Sequence, residues 1–507
     1  MLDAFIYLLT PQPFLIMICG VLLGIMVGVL PGITAGMLMA LVLPFTYYMT
    51  SVNAVTLLIS IFVGGVSGGL ITATLMRIPG EPNAIMTCLD GHALAKAGHP
   101  GRALGLGNAG SIVGGVMSWF ALVLLAPPLA KMAIAFGPWE NFAIVVVALM
   151  LIVSLSGGSM LKGMMAALLG AMLSFPGVDE NSGTLRLNFG FHQLDAGLDI
   201  MPVMIGLFAV SQVIADTLNI EQQDTDRVRA NMRGILTSFR DYGRHGWNML
   251  RSSLIGIAMG VLPGVGATIA SIVSYTTAKN LSATPEEFGK GSEEAIVAAE
   301  TANNATTGGT LIPLLTLGIP GGLTDAVLLG ALTIHNLQPG PLLYIKSPQV
   351  VNTIIASHLF AHIVMFIFMT IGVMLFARLM LLSRAWIFPT ILVFCVIGAY
   401  VLNNRGFDAW VMVAFGLVGM GLEFVRAPLA PFLIGFLLGP LAEKELRSGL
   451  MSSGGDYAEI LTRPIALGLL VVALLLLLWP VLRGKRRGIP AALKIDADVI
   501  RLPPGGG

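Results

Sequence analysis

Charge is scarce in this 507-residue chain: Asp, Glu, Lys and Arg together make up only 11% of it, against about 25% in a soluble globular domain. So few charges cannot cover the surface of a water-soluble fold of this length, which excludes an ordinary soluble enzyme or binding module. The 28 basic and 27 acidic residues nearly cancel, leaving a net charge of +1, so the basic footprint of a nucleic-acid-binding protein is missing. Cysteine is scarcer still. Cys19, Cys88 and Cys395 lie far apart and form no metal or redox spacing. No Gly-x-x-x-x-Gly-Lys-[Ser/Thr] loop occurs, as an ATP-driven pump of that kind would need. A membrane-embedded enzyme needs a nucleophile with its base, or clustered acids for a metal. No His-Glu-x-x-His, Asp-rich cluster or suggestively spaced Ser–His pair occurs here, and His92, His99, His335 and His362 show no ligand spacing. The N-terminus carries Asp3 and no Lys or Arg before Arg77. It lacks the basic region of a cleaved signal peptide, so Phe14–Leu30 is expected to stay in the protein.

What the chain has instead is apolar length and glycine: 56% hydrophobic residues and 61 glycines. Apolar runs recur at Phe14–Leu30, Ile33–Tyr48, Ala54–Met76, Ala103–Leu125, Phe142–Leu155, Met160–Phe175 and Leu198–Ala215. After a polar stretch they resume at Leu254–Leu262, Val265–Ala278, Ala295–Leu317, Val351–Leu381, Ile387–Leu402, Trp410–Phe424, Leu429–Leu441 and Ile465–Leu482. This is an all-α polytopic membrane protein with roughly 10–14 membrane segments. Its expected organisation is a first membrane half over 1–218, a cytoplasmic linker over 219–251, a second membrane half over 252–483 and a cytoplasmic tail over 484–507. Asn83–Ala97, only moderately apolar, reads as a short helix near one surface.

Orientation follows from basic residues near span ends. Arg77, Lys96, Arg102, the linker arginines, Arg378 with Arg384, and the Arg483–Arg487 cluster are placed in the cytoplasm. The acidic loop Asp179–Asp195 is placed outside. The N-terminus then lies outside and the C-terminus inside, with Lys131 and Arg405 on the less favoured face.

Two stretches interrupt the apolar pattern in the same way: Gly28-Val29-Leu30-Pro31-Gly32-Ile33-Thr34-Ala35-Gly36 and Gly260-Val261-Leu262-Pro263-Gly264-Val265-Gly266-Ala267-Thr268. Proline removes a backbone donor and glycine leaves helical geometry cheaply, so each apolar segment should break there. The first pair reads either as two half-length helices meeting at a hairpin tip or as two separate spans. Between residues 24–36 and 256–268, eight of thirteen positions are identical. Further matches occur in the same order: Ser67-Gly68-Gly69 with Thr307-Gly308-Gly309, Ile78-Pro79-Gly80 with Ile319-Pro320-Gly321, and His99-Pro100-Gly101 with Gln338-Pro339-Gly340. The repeat cores are about 14–126 and 252–345. One copy starts outside and the other in the cytoplasm, so the expected fold has two inverted-topology repeats with broken helices or re-entrant hairpins. Such repeats give alternating access a simple basis, with a binding site where the corresponding helices break.

The paired Gly-Val-Leu-Pro-Gly segments, Arg77-Ile78-Pro79-Gly80-Glu81-Pro82, and Asn303-Asn304-Ala305 through Ile319-Pro320-Gly321 resemble the large membrane subunit of tripartite tricarboxylate transporters, the TctA-type permease, over nearly the whole chain. That resemblance implies a bacterial inner-membrane symport protein that takes up carboxylates. It implies two partners: a small membrane subunit of about four spans, TctB-like, and a periplasmic solute-binding protein, TctC-like. It also implies an ion gradient as the driving force, with Na⁺ the expected coupling ion and no other cofactor.

A carboxylate in a dry cavity needs donors, and helix N-termini supply unpaired N–H groups with partial positive charge. The expected substrate-binding residues are therefore Pro31, Gly32, Thr34 and Ala35 at one tip, and Pro263, Gly264, Gly266, Ala267 and Thr268 at the other. The bland alternative is a pair of kinks made for tight helix packing. Hard cations prefer neutral oxygens, which singles out Asn303, Asn304, Thr306 and Thr307, with Ser67 in the first copy. An interhelical hydrogen-bond cluster is the competing reading. Arg77, Pro79, Gly80, Glu81, Pro320 and Gly321 are expected to gate or shape the cavity, and Glu81 has Arg77 as a possible ion-pair partner. Glu300 reads either as a titrating group near Asn303 or as a cytoplasmic helix end. A passive anion channel would share the broken helices, but it has no need of two inverted copies.

Overall fold

A computed structural model of the chain describes residues 1–30, 32–155, 159–179, 183–218, 228, 233–379, 384–401 and 403–482. Pro31, most of the first part of the linker and the whole predicted tail lie outside the described residues. The first half runs through α1 (Leu2–Leu8), α2 (Pro11–Val29), α3 (Ala35–Thr46), α4 (Ser51–Met76), α5 (Thr87–Lys96) and α6 (Pro100–Ile134). Helices α7 (Pro138–Leu155) and α8 (Met160–Leu173) lead to a small antiparallel hairpin of β1 (Gly177–Val178) and β2 (Leu185–Arg186). Helix α9 (Ile200–Met204) continues through a π-helical turn into α10 (Ser211–Leu218). The second half opens with α11 (Phe239–Val261), α12 (Gly266–Leu281), α13 (Glu293–Leu317), α14 (Leu323–Ile334), α15 (Pro341–Lys346) and α16 (Pro348–Ile371). It closes with α17 (Val373–Leu379), α18 (Arg384–Val401), α19 (Gly406–Phe424), α20 (Leu429–Ser452), α21 (Glu459–Thr462) and α22 (Pro464–Leu482).

The helical, multi-pass reading holds. Among the described residues six helical stretches are long and apolar enough to cross a membrane: Pro11–Val29, Ser51–Met76, Pro100–Ile134, Ile200–Thr217, Pro348–Ile371 and Gly406–Phe424. The leading helix of each broken pair is longer than half-length: α2 has 19 residues and α11 has 23, while the shorter α3 (12) and α12 (16) come after them. Two expectations change. The linker is helical from Phe239 onward, because Ser238 and Asp241 form a capping box that starts α11. The glycine run Gly64–Gly69 does not interrupt α4, whose residues from Asn53 to Met76 are all buried. Protein packing on every side satisfies that helix where lipid would not, and the glycines let neighbours approach.

That approach is the same in both halves. Gly24 and Gly28 of α2 press on the carbonyls of Ile61 and Gly65 in α4, while Gly256 and Gly260 of α11 press on those of Ala302 and Thr306 in α13. A methyl group at Gly28 would stand 2.3 Å from the Gly65 oxygen, and one at Gly260 would stand 2.8 Å from the Thr306 oxygen. Gly80 and Gly321 in turn close on the carbonyls of Gly28 and Gly260. These contacts pair Gly68 with Gly309, one residue away from the alignment of Ser67-Gly68-Gly69 with Thr307-Gly308-Gly309. Ser67 therefore corresponds to Gly308, Gly69 to Thr310 and Glu81 to Gly322. Arg77 and Gly318 also correspond; both cap their helix in the left-handed region, at φ 58° and 71°. Each half finally lends a helix to the other, α6 packing on α13 and α16 on α4.

Candidate functional site

The two breaks have nearly the same backbone. Helix α2 ends at Leu30 (φ −90°, ψ 111°) and α11 at Leu262 (φ −84°, ψ 113°). Gly32 (φ 92°) and Gly264 (φ 81°) then take the left-handed turn that a side chain would resist. Past these glycines the two tips diverge. At the first tip the Thr34 hydroxyl accepts from Met37 N–H at 3.2 Å, and Ala35 N–H donates to the buried Glu81 carboxylate. Of the donors expected to meet a substrate here, the Ala35 N–H is thus engaged within the protein, while the Thr34 hydroxyl accepts as an N-cap. Glu81 turns to Ala35 and forms no ion pair with Arg77, which is exposed.

At the second tip α12 begins without a side-chain cap. Gly266 stands where Thr34 stood, and Gly322 stands where Glu81 stood. Gly266 has φ 66° and open space where a side chain would project. Ala267 and Thr268 are half-buried, Pro263 is buried, and Gly264 N–H donates to the Gly321 carbonyl at 2.8 Å. The segment Gly322–Thr324 lies between the tips: Gly36 faces Thr324, and Gly322 faces Gly266. Asp325, just beyond, accepts from the Thr310 hydroxyl at 2.8 Å. Pro79-Gly80 and Pro320-Gly321 shape these turns by close backbone contact.

Between the tips α4 crosses α13. Ser67 Oγ donates to Asn304 Oδ1 at 2.7 Å, and Asn304 Nδ2 donates to Ser111 Oγ of α6 at 2.8 Å. Thr306 donates to the Ala302 carbonyl at 2.8 Å and Thr307 to the Asn304 carbonyl at 2.7 Å. Of the five residues expected to ligate a cation, Ser67, Asn304, Thr306 and Thr307 take part in these bonds, and the three hydroxyls use their proton rather than their oxygen lone pairs. Asn303 differs: its Nδ2 donates to the Val66 carbonyl at 3.4 Å, while its Oδ1 has no partner.

Sequence reasoning left Glu300 open between two readings and missed His358. Glu300 is fully buried inside α13 rather than at a cytoplasmic helix end, and it accepts from the Thr87 hydroxyl of α5. His358 and His362, four apart on one face of α16, touch with centroids 4.5 Å apart and their ring planes tilted at 53°. Because the Thr307 hydroxyl spends its proton on the Asn304 carbonyl, it can only accept from His358 Nε2, 2.9 Å away. The i, i+4 histidine spacing was the available signal. Near the face assigned to the cytoplasm, Asp90 of α5 takes backbone N–H bonds from Gly289, Gly291 and Ser292 and a hydroxyl bond from Tyr275. Arg102 of α6 there holds Asp241 of α11 at 2.6 Å and Glu293 of α13 at 2.8 Å. The guanidinium holds the Asp241 carboxyl well below the usual carboxylate range. A crevice lined by Ile112, Val116, Tyr242 and Phe366 is almost wholly apolar and does not suit a carboxylate.

These features define a class: a multi-pass helical membrane protein with two broken helices and a buried polar crossing. The chain belongs to the tripartite tricarboxylate transporter TctA family, whose profile matches residues 14–434. A relative from Agrobacterium vitis, described as an uncharacterized 52.8 kDa protein in the TAR-I ttuC′ 3′ region, is 36% identical over 483 residues, 94% of this chain and 95% of that protein. Another from the same organism, described as an uncharacterized protein in the TAR-II ttuC′ 3′ region, is 39% identical over 234 residues, 46% of this chain and 97% of that protein. No solved structure matches.

Proposed function

We propose that this protein is the permease subunit of a binding-protein-dependent carrier that takes up a tricarboxylate or related organic acid across the bacterial inner membrane. An ion gradient, with Na⁺ as the coupling ion, drives uptake, and the chain itself catalyses no covalent chemistry. Its partners are a TctB-like small membrane subunit and a TctC-like periplasmic binding protein. The two halves act as inverted repeats, with the N-terminus in the periplasm and the C-terminus in the cytoplasm.

The observation that carries this reading is the uncapped first turn of α12, set beside Gly266 and Gly322, with the segment Gly322–Thr324 between it and the first tip. Backbone N–H groups there can take a carboxylate without the desolvation penalty of a buried Lys or Arg. Gly264 is packed on Ile152 and bonded to Gly321, so Gly266 and Ala267 are the small positions that admit it to the backbone, and Thr268 adds a hydroxyl. Transport in proteoliposomes holding the permease, its small subunit and its binding protein tests the proposal. A labelled carboxylate should accumulate against its own gradient when a sodium gradient is imposed, and should stop accumulating when an ionophore collapses it. Mere equilibration would mark a channel and overturn the carrier reading. Gly266→Val, which forces a branched side chain into φ 66°, should reduce uptake at least about tenfold while leaving membrane insertion intact.

A further inference from the structure

The crossing of α4 and α13 leaves buried oxygens unanswered. Glu300 lies seven residues into α13 and has no exposed surface, about 10 Å along the helix axis. Its Oε1 accepts from Thr87, but its Oε2 has no hydrogen-bond partner. Asn303 Oδ1, one turn further on, has none either. The Ser111 and Asn303 side chains also approach the carboxylate as hydrogen-bond donors, but no ion pair among the described residues includes it. A buried carboxylate without a counter-charge and an amide oxygen without a donor are each unfavourable alone. The two residues lie one helical turn apart on α13.

We propose that Glu300 and Asn303 are the principal ligands of a hard monovalent cation, with the hydroxyl oxygens of Thr87 and Ser111 completing the oxygen set. This deepens the proposed function: it centres the cation on the buried carboxylate beside the Asn304–Thr307 run. One carboxylate balances one positive charge. A calcium site would call for six to eight oxygens, usually with more carboxylates among them. The seat lies where four helices meet: α13 supplies the carboxylate and amide, α5 and α6 the hydroxyls, and α4 the Val66 carbonyl that anchors Asn303. Filling it draws these helices together. Because α4 and α13 carry the glycine contacts that position α2 and α11, occupancy is felt at both tips.

Thermal unfolding of the purified full-length chain in detergent tests this with sodium chloride against choline chloride at constant ionic strength. The wild-type midpoint should rise saturably with sodium, as binding to the native state requires. Glu300→Gln keeps the shape and the acceptor for Thr87, and should shift the sodium response at least about tenfold to higher concentration. Asn303→Ala should do the same, and it decides the matter if the first variant does not fold. Glu140→Gln, which removes a buried acid elsewhere, should respond as wild type. No sodium response in wild type, or an unchanged response in Glu300→Gln or Asn303→Ala, overturns the seat. The transport reading fails separately: sodium binding through Glu300 without sodium-driven uptake sinks that reading and leaves the seat standing. Sodium-driven uptake unchanged in both variants does the reverse.

Discussion

At the first tip Ala35 N–H meets Glu81 and Met37 N–H meets Thr34; at the second, glycines 266 and 322 replace both side chains and the first turn of α12 has no side-chain cap. The backbones on either side nearly superpose in dihedral angle, and both rest on the same pattern of glycine contacts with a buried helix. An interrupted helix is therefore not a binding site by virtue of being interrupted. The protein can answer its own N-terminal donors, as it does at α3, or leave them without a side-chain cap, as at α12. The first tip acts as a brace, and the second is the seat proposed above.

The largest effect should come from making the second tip like the first. Gly322 has extended backbone (φ −162°) with room for a side chain, so Gly322→Glu can present a tethered carboxylate to α12. A tethered group acts at millimolar effective concentration, so carboxylate uptake at micromolar substrate should fall about a hundredfold; near-normal uptake at equal expression would break the comparison. Glu81→Ala should act the other way. It strands the buried Ala35 N–H and should lower stability by about 1–3 kcal/mol, read as a lower melting midpoint, while the apparent KM for substrate changes by less than about threefold. A large KM change without a stability loss would mean the first tip is also a seat. Thr34→Ala removes the ordinary N-cap and should destabilise by about 1 kcal/mol, again without altering substrate affinity.

The smallest effect concerns the far ends of the same helices. The second copy is charged there, with Arg102 binding Asp241 of α11 and Glu293 of α13, whereas the first copy makes a neutral bond from Tyr7 to Asn53. The Asp241 carboxyl has a depressed pKa when folded. Its stabilisation is therefore complete above the ordinary Asp range, near pH 4, and drains away as pH falls further. The Asp241 contribution, read as the difference in melting midpoint between wild type and Arg102→Met, should be constant from about pH 7 to 5 and shrink below that. Arg102→Met should make the acid loss shallower, by less than about 1 kcal/mol since the pair is partly exposed. An equal acid loss in that variant would place the sensitive group elsewhere.

Much of this architecture was legible in order along the chain. Proline-glycine pairs inside apolar runs marked both breaks, and Ile-Pro-Gly marked the turns that close on them. The repeat was legible too, but its register was off by one in α4 and α13. Short matches of Gly and Ser/Thr score almost equally at adjacent offsets, whereas the pairing of Gly28 with Gly68 and of Gly260 with Gly309 admits only one. The Asn303–Gly309 run was rightly seen as polar and interior. Its neighbour Glu300 was undervalued because an acid seven residues into a helix reads equally well as a frayed end.

The sequence by itself determined where the backbone must leave the helix, because a missing donor and a missing Cβ limit φ and ψ locally, whatever surrounds them. It could not determine which exposed amides remain open. That depends on Glu81 arriving at Ala35 from 46 residues away, and on Ser67 reaching Asn304 across 237. A hydrogen-bond donor is satisfied by whatever acceptor the fold brings within about 3 Å, and only packing brings it.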